Sequence, residues 1–146
     1  MEAVIFCGIQ ASGKTTFYLE RFLRTHIRLN LDMLKTRHRE RVMLDACLAT
    51  GQRFVVDNTN PTASERRRYV EPARAAGFRV VGYYFATPPR EAIARNDRRP
   101  ERERIPIAGL LGTYKHQELP SRGEGFDRLF RVRAEAGSFL VEDLEE

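Results

Sequence analysis

The stretch AVIFCGIQASGKTTF, residues 3–17, decides the fold of this chain. Residues 3–7 form a short apolar run, which is typical of a strand buried on both faces of a sheet. A glycine loop follows at 8–13, and residues 14–25 (KTTFYLERFLRT) place apolar side chains at roughly helical spacing. The order strand, glycine loop, helix predicts that the chain opens with the first βα unit of an α/β protein.

The loop matches the phosphate-binding pattern of two glycines five residues apart followed by Lys-Thr. Its glycines let the backbone approach a β-phosphate, and the helix N-terminus adds partial positive charge. Lys14 is expected to bridge the β- and γ-phosphates of ATP or another nucleoside triphosphate, and Thr15 to give its hydroxyl to Mg²⁺. The residues predicted to bind nucleotide are Gly8, Ala11, Ser12, Gly13, Lys14, Thr15 and Thr16.

Length and composition limit the classes of protein. A chain of 146 residues is expected to form one domain, spanning 1–146. No apolar run approaches the ~20 residues of a membrane helix and no signal region precedes the first strand, so we expect a cytoplasmic protein without a membrane partner. Cys7 and Cys47 lie in apolar and helical runs, which predicts buried packing residues. The three histidines have no ligand spacing with them, so no structural zinc is predicted.

Charge is distributed unevenly. The net charge is +5, and 22 of the 25 basic residues are arginine, with lysine only at 14, 35 and 115. Genomic bias is one explanation of this composition. Function is another, because the guanidinium fork suits phosphate groups. Residues 66–104 contain eleven arginines and five acids, whereas the C-terminal VEDLEE is acidic. A regional excess of this kind favours a polyanionic partner.

The rest of the chain alternates strands with helices. Strands are predicted at 27–30, 53–60, 78–86 and 126–132, the last of them parallel, and 138–144 fits no class. Helices are predicted at about 33–49 with Asp32 as N-cap, 62–76 from the capping box TASE, 88–99 and 106–117. This alternation predicts a parallel α/β sheet, whose ligands bind at the carboxyl ends of the strands.

Asp32 and Lys35 follow the second strand in LNLDMLK, residues 29–35. A carboxylate here lies near the γ-phosphate and can take a proton from an attacking hydroxyl. Lys35, three residues on, is expected on the same helical face and could hold an anionic group of the acceptor. The alternative is purely structural, with Asp32 as an N-cap and Lys35 as a solvated side chain.

Asp57 and Asn58 end the third strand in VVDNTN, residues 55–60. Asp57 could hold Mg²⁺ through a water molecule, and Asn58 is a candidate substrate contact. Turn chemistry before Pro61 is the structural alternative for the asparagines.

Arginines dominate RNDRRPERERIPI, residues 95–107. Arg95, Arg98 and Arg99 are expected on one helix, where an arginine reaching over the triphosphate would neutralise charge on the phosphoryl group in transfer. Arg95 is a candidate substrate contact, and the residues alone leave open which arginine would serve the transferring group. A solvated helix face is the alternative.

Together these stretches resemble the kinase domain of the polynucleotide 5′-hydroxyl kinases, over about four-fifths of the chain. NLD with a basic residue three positions on, DNTN and RNDRR…IPIAGLLGTYK carry the resemblance. It implies a parallel-sheet phosphate-loop (P-loop) kinase fold of three layers, α/β/α, with a small helical lid around 88–117. It also implies that Asp32 is the general base on the 5′-hydroxyl end of RNA or DNA, and that Arg99 is the lid arginine.

Two positions depart from the family pattern. The acceptor-binding arginine falls on Lys35, which keeps the charge but loses bidentate geometry, and the arginine before the base falls on Leu31. Other acceptors therefore stay open: a small molecule, as in shikimate or gluconate kinases, or a nucleoside sugar, as in toxin kinases. A non-catalytic NTP-binding regulator is the alternative from another class. A motor ATPase is disfavoured, because the chain leaves no room for its lid domain.

Overall fold

Six strands form one sheet at the centre of the computed structural model, which describes residues 1–144. In spatial order they run β2-β3-β1-β4-β5-β6; β1 to β5 are parallel and β6 is antiparallel to β5. The strands are β1 (Glu2–Cys7), β2 (Ile27–Leu29), β3 (Phe54–Val56), β4 (Arg79–Phe85), β5 (Arg128–Glu135) and β6 (Ser138–Asp143). The last two residues of the expected domain, 145 and 146, lie outside the described part.

Helices cover both faces of the sheet. They are α1 (Lys14–Arg21), α2 (Leu31–Leu34), α3 (Arg37–Thr50), α4 (Ala63–Ala75), α5 (Pro89–Asp97) and α6 (Ile107–His116), with 3₁₀ turns at Glu101–Glu103 and Arg122–Glu124. None of the helices over residues 1–144 combines the length and apolar character of a membrane span.

The alternation of β1 produces the three layers. Ala3 and Ile5 pack on one face with side chains of α3 and α4, while Val4 and Phe6 pack on the other with α1. Both sets are fully buried, as expected for a central parallel strand. Helices α5 and α6 lie against the glycine loop instead, through a small cluster that includes Ala92 and Leu110. The predicted α/β kinase fold with a helical segment around 88–117 is confirmed.

Several element boundaries differ from the sequence prediction. The helix expected at 33–49 is two helices, because Lys35 adopts a left-handed backbone (φ 76°) and Thr36 caps a new helix by accepting a hydrogen bond from the Arg39 amide. Asp32 is therefore not an N-cap; it lies inside α2, whose cap is Asn30. Lys35 leaves the helical face on which Asp32 lies.

Three other predictions need correction. Helix α1 ends at Arg21 rather than near residue 25, and the strand predicted at 53–60 ends at Val56. Helix α5 ends at Asp97, so Arg98 is its C-cap and Arg99 lies in the following turn. The unclassified stretch 138–144 contains β6. Cys7 and Cys47 are buried free thiols, as predicted.

Candidate functional site

The glycine loop connects β1 to α1 at the carboxyl edge of the sheet. The Gly8 amide donates to the Thr59 carbonyl (3.0 Å), so the loop is fixed to the end of β3. A Cβ on Gly8 would lie 2.8 Å from the Phe85 Cβ, which excludes any side chain there. Gly13 caps α1 with φ 94°, a conformation that glycine adopts at little cost. The glycine loop therefore leaves the N-terminus of α1 exposed, as the binding of a phosphate group there requires.

Lys14 is buried beneath this loop. Its ammonium group donates to the carbonyls of Gly8 (2.8 Å) and Ile9 (2.7 Å). Burial lowers the pKa of the Lys14 ammonium group from 10.5 to about 8, although the charge of Asp57 opposes this shift. The ammonium group lies among main-chain carbonyls with its charge only partly compensated, so a polyphosphate would find a favourable partner.

Thr15 at the start of α1, Asp57 after β3 and Arg28 within β2 form a linked polar group. The Thr15 hydroxyl donates to the Asp57 Oδ2 (3.0 Å), and the Arg28 Nε donates to the same oxygen (2.8 Å). The Arg28 Nη2 also donates to the Thr15 hydroxyl (3.1 Å). A hydroxyl and a carboxylate side by side are oxygen donors of the kind Mg²⁺ prefers, so the residues fit that ion.

Arg28 was missed by sequence reasoning. The available signal was a charged residue in the middle of a short strand, beside the fully buried Leu29. Its role depends on a pairing with Asp57, 29 positions away, which no local spacing displays.

Asp32 lines the cleft beside the loop and is exposed. Asn30 holds its helix in place: the Asn30 Oδ1 accepts from the Met33 amide (2.9 Å), and its Nδ2 donates to the Asp57 carbonyl (2.6 Å). The carboxylate is thus tied through the backbone to the Thr15–Asp57 group. Lys35 is exposed and lies outside the cleft lining.

Asn58 belongs to a buried network. Its Oδ1 accepts from the Leu31 amide (2.9 Å), and its Nδ2 donates to Glu40 (3.0 Å) and to the Tyr69 hydroxyl (3.2 Å). Arg37 donates to the same two partners, at 2.9 and 3.0 Å. These contacts fix the start of α2, and a direct contact between Asn58 and substrate stays a prediction. The sequence reasoning missed Glu40, Tyr69 and Arg37.

Arg95 and Arg99 face the loop from the lid, whereas Arg98 is exposed. Arg99 lines the cleft opposite Asp32, and the Arg95 Nη1 would lie 3.1 Å from a Cβ built on Gly13. The buried Asn96 closes the turn behind them, donating to the Ile105 carbonyl (2.6 Å) and accepting from its amide (2.9 Å). Arg99 therefore lies in a turn held by two hydrogen bonds, and Arg95 lies in the last turn of α5.

The cleft encloses roughly 370 Å³. A second cavity of about 410 Å³ adjoins it between the loop, the two lid arginines and the β5–β6 turn at 134–139. Of the predicted site residues, the structure brings to the first cleft Ala11, Ser12, Gly13, Lys14, Thr15, Thr16, Asp32, Asp57, Asn58 and Arg99. Arg95 lines the second cavity, while Gly8 begins the loop and accepts a hydrogen bond from Lys14. Lys35 lies outside both cavities.

Comparisons with solved structures agree with this architecture. Kti12 of Chaetomium thermophilum, solved in complex with ADP-AlF3, is 17% identical with a TM-score of 0.64, covering 90% of this chain and 88% of its own. A gluconokinase of Sinorhizobium meliloti 1021 is 18% identical with a TM-score of 0.62, covering 90% and 82%. A structure of the PezAT toxin-antitoxin system of Streptococcus pneumoniae is 12% identical with a TM-score of 0.64, covering 90% and 68%.

At these identities the likeness shows the fold alone, which is a kinase-like α/β fold with a phosphate loop after its first strand. The narrower resemblance to polynucleotide kinases stays a prediction. A family model described as an AAA domain matches residues 34–117, more than half of the chain. This chain therefore belongs to that AAA domain family.

Proposed function

We propose that this protein is an ATP-dependent kinase that transfers the γ-phosphate to the 5′-hydroxyl end of RNA or DNA. One observation carries the proposal: a carboxylate (Asp32), an ammonium (Lys14) and a lid guanidinium (Arg99) line the same cleft around a phosphate loop. A nucleotide-binding protein without transfer chemistry needs the loop but has no need of a carboxylate facing it.

The donor would bind with its phosphates on the loop and its nucleoside in the second cavity. The two cavities share Ala11, Gly13, Thr16 and Arg99, so one extended molecule can occupy both. The lining of the second cavity combines small residues, such as Gly13 and Gly137, with Phe139, which suits a flat ring. Kti12, which shares the fold, was solved in complex with ADP-AlF3, and this supports a nucleotide as the donor here.

Thr15 directly, and Asp57 through a water molecule, would hold Mg²⁺ beside the phosphates. The ion, when bound, supplies positive charge to the β- and γ-phosphate oxygens.

The chemistry needs one base and several cations. The 5′-hydroxyl oxygen attacks the γ-phosphorus, and the bond between that phosphorus and the β–γ bridging oxygen breaks. The hydroxyl proton passes to the Asp32 carboxylate, and ADP leaves with the bridging oxygen. Lys14 and Arg99 stabilise the negative charge on the transferring group. Products are ADP and a 5′-phosphorylated end.

The end of the cleft at which the acceptor would bind favours a polyanion. Arg37 lines this end of the cleft, where it is held by Glu40 and Tyr69, so an arginine is present although position 35 is lysine. Arg37 is a candidate for the acceptor-phosphate contact that the family resemblance assigns to position 35. The fold is shared with a gluconokinase, so a small polyhydroxy acid is the competing acceptor.

Transfer from γ-labelled ATP tests the proposal. The protein is incubated with Mg²⁺ and either a 5′-hydroxyl oligonucleotide or a panel of gluconate, shikimate and nucleoside sugars. We expect label on the oligonucleotide, and none on an oligonucleotide that already carries a 5′-phosphate. Label on a small molecule alone would replace the proposal with the competing kinase. Tight ATP binding without any transfer would favour the regulator.

A further inference from the structure

A groove between α3 and α4 is lined with exposed basic side chains. Arg37, His38, Arg41 and Arg68 line its first part, a space of about 520 Å³. The remaining charged residue there, Glu40, is buried and bonded within the network described above. In this first part every exposed charged or titratable side chain is therefore basic.

The groove continues along both helices. Its second part, about 390 Å³, shares Arg41, Leu44 and Arg68 with the first and adds Arg67. The acids Asp45 and Glu71 appear only here, and Arg67 pairs with Glu71 at 3.6 Å. Positive charge is therefore strongest at the end nearest the active site.

Arg37 connects the groove to the cleft, since it lines both. Arg41 follows four residues later on the same face of α3, a step of about 6 Å along the helix axis. With a rise of ~3.4 Å per nucleotide for a strand of B-DNA, this step corresponds to roughly one to two nucleotides, so both arginines lie within reach of phosphates of one strand. Within residues 1–144, neither the Arg41 nor the Arg68 side chain makes a hydrogen bond or ion pair, so both guanidinium groups are available.

We propose that this groove binds the phosphodiester backbone of the acceptor strand beyond its reacting 5′ nucleotide, with Arg41 and Arg68 as phosphate contacts. The proposal rests on the proposed function, because the strand enters the groove from the acceptor end of the cleft. The exposed cations contact phosphates and carry no pattern for reading bases, so binding is independent of sequence and sensitive to salt.

Steady-state kinetics with two acceptors test the groove. One is a 12-nucleotide 5′-hydroxyl strand and the other is a nucleoside 3′-monophosphate, which is too short to reach Arg41. The variant Arg41→Gln/Arg68→Gln is compared with Arg53→Gln/Arg79→Gln, a control at the opposite edge of the sheet, where β3 and β4 begin. We expect the variant to raise KM for the 12-mer roughly tenfold at low salt while kcat and the mononucleotide KM stay unchanged.

Salt dependence gives a second readout. Each phosphate contact on a single strand contributes about 0.7 to the slope of log affinity against log salt, so the slope should fall by about 1.4 in the variant. An unchanged KM for the 12-mer, or an equal rise in KM for both acceptors, would overturn the proposal for the groove. Either result would leave the kinase assignment intact. Competition by poly-glutamate as strong as that by an oligonucleotide of equal charge would replace the nucleic acid with an acidic polypeptide.

Fluorescence anisotropy separates the two proposals. A labelled 12-mer that binds the wild-type protein, loses affinity in the variant and is never phosphorylated would reject the proposed function and support the groove. Absence of both binding and transfer would reject both. An unchanged thermal midpoint of the variant shows that the fold is preserved.

Discussion

Asp32 is the residue on which the proposed chemistry depends most. Asp32→Asn keeps the shape of the side chain but removes the proton acceptor, so kcat should fall by roughly 10²–10⁴. Nucleotide affinity, measured by calorimetry, should stay within about twofold because the loop is untouched. Asp143→Asn, at an exposed carboxylate on β6, is the matched control. Full activity in Asp32→Asn would remove the general base from the proposal.

Arg99 and Arg98 offer a test with adjacent residues. Arg99 lines the cleft while Arg98 is exposed outside it, so Arg99→Ala should reduce kcat by about 10³ or more and Arg98→Ala should leave it near wild type. Single-turnover rates at saturating ATP measure the effect. If Arg95→Ala is the inactive variant instead, the lid arginine acts from one turn earlier.

Lys14 makes nucleotide affinity depend on pH. Its pKa of about 8 lies below the ordinary 10.5, and bound phosphates favour the charged form. Above pH 8 binding therefore requires proton uptake, and ATP affinity should fall as the pH rises from 8 to 9.5. Calorimetry in buffers of different ionisation enthalpy measures that uptake, and Lys14→Met should remove it. A flat affinity for the wild-type protein across this range would contradict the prediction.

The same group acts on stability with the opposite sign. Between pH 8 and 10.5 the unfolded chain holds the Lys14 proton and the folded chain has lost it. The unfolded state then binds more protons, so this contribution to the free energy of unfolding rises with pH.

Local pattern explains which site residues the sequence could predict. Lys14, Thr15, Asp32 and Asp57 each follow the end of a strand, and strand ends converge in a parallel sheet. Arg28, Arg37 and Tyr69 acquire their roles from partners distant in sequence, which a single chain does not display. Lys35 was misplaced because a left-handed backbone interrupts the expected helix.

At the scale of elements, Asn96 holds the lid turn to Ile105 through two hydrogen bonds. Asn96→Ala would remove both of these part-buried hydrogen bonds, each of which contributes about 0.5–1.5 kcal/mol to the free energy of unfolding. We expect faster hydrogen exchange at the Ile105 amide and a lower kcat, since Arg99 lies within this turn. Asp97→Ala, at the exposed neighbour, should change neither. Equal exchange in both variants would show that the turn is held by other contacts.

Element predictions succeeded where end signals were strong. Thr62 caps α4 through the Glu65 amide and Pro106 precedes α6, as the sequence indicated. Strand β6 escaped prediction because its turn uses Ala136 and Gly137 in left-handed backbone (φ 47° and 79°), and Ala-Gly is a weak turn signal. Acidic residues also interrupt the alternation of apolar and polar side chains in β6. Only the residues that face α1 are half-buried.

At the scale of the whole molecule, Arg66 ties the site to the 3₁₀ turn that precedes β5. Its fully buried guanidinium group bonds Glu124 at 2.7 and 3.0 Å and the Asn60 carbonyl at 2.9 Å. Arg66→Ala would leave a carboxylate without its partner and should lower the free energy of unfolding by about 3–5 kcal/mol in urea titrations. Arg67→Ala removes an exposed pair with Glu71 and should cost less than about 1 kcal/mol. Similar losses for both variants would show that burial does not decide the strength of the Arg66 pair.

The β5–β6 turn has a consequence for biosynthesis. It forms one wall of the cavity proposed for the nucleoside, and Phe139 packs against Phe17 of α1, so the last strand completes a site begun by the first loop. A ribosome releases the phosphate loop first and this turn near the end of translation of the described residues. Until β6 has been synthesised, a nascent chain therefore carries the loop without the wall that would retain a nucleotide, and ATP would stabilise a chain that contains β6 far more than a shorter precursor.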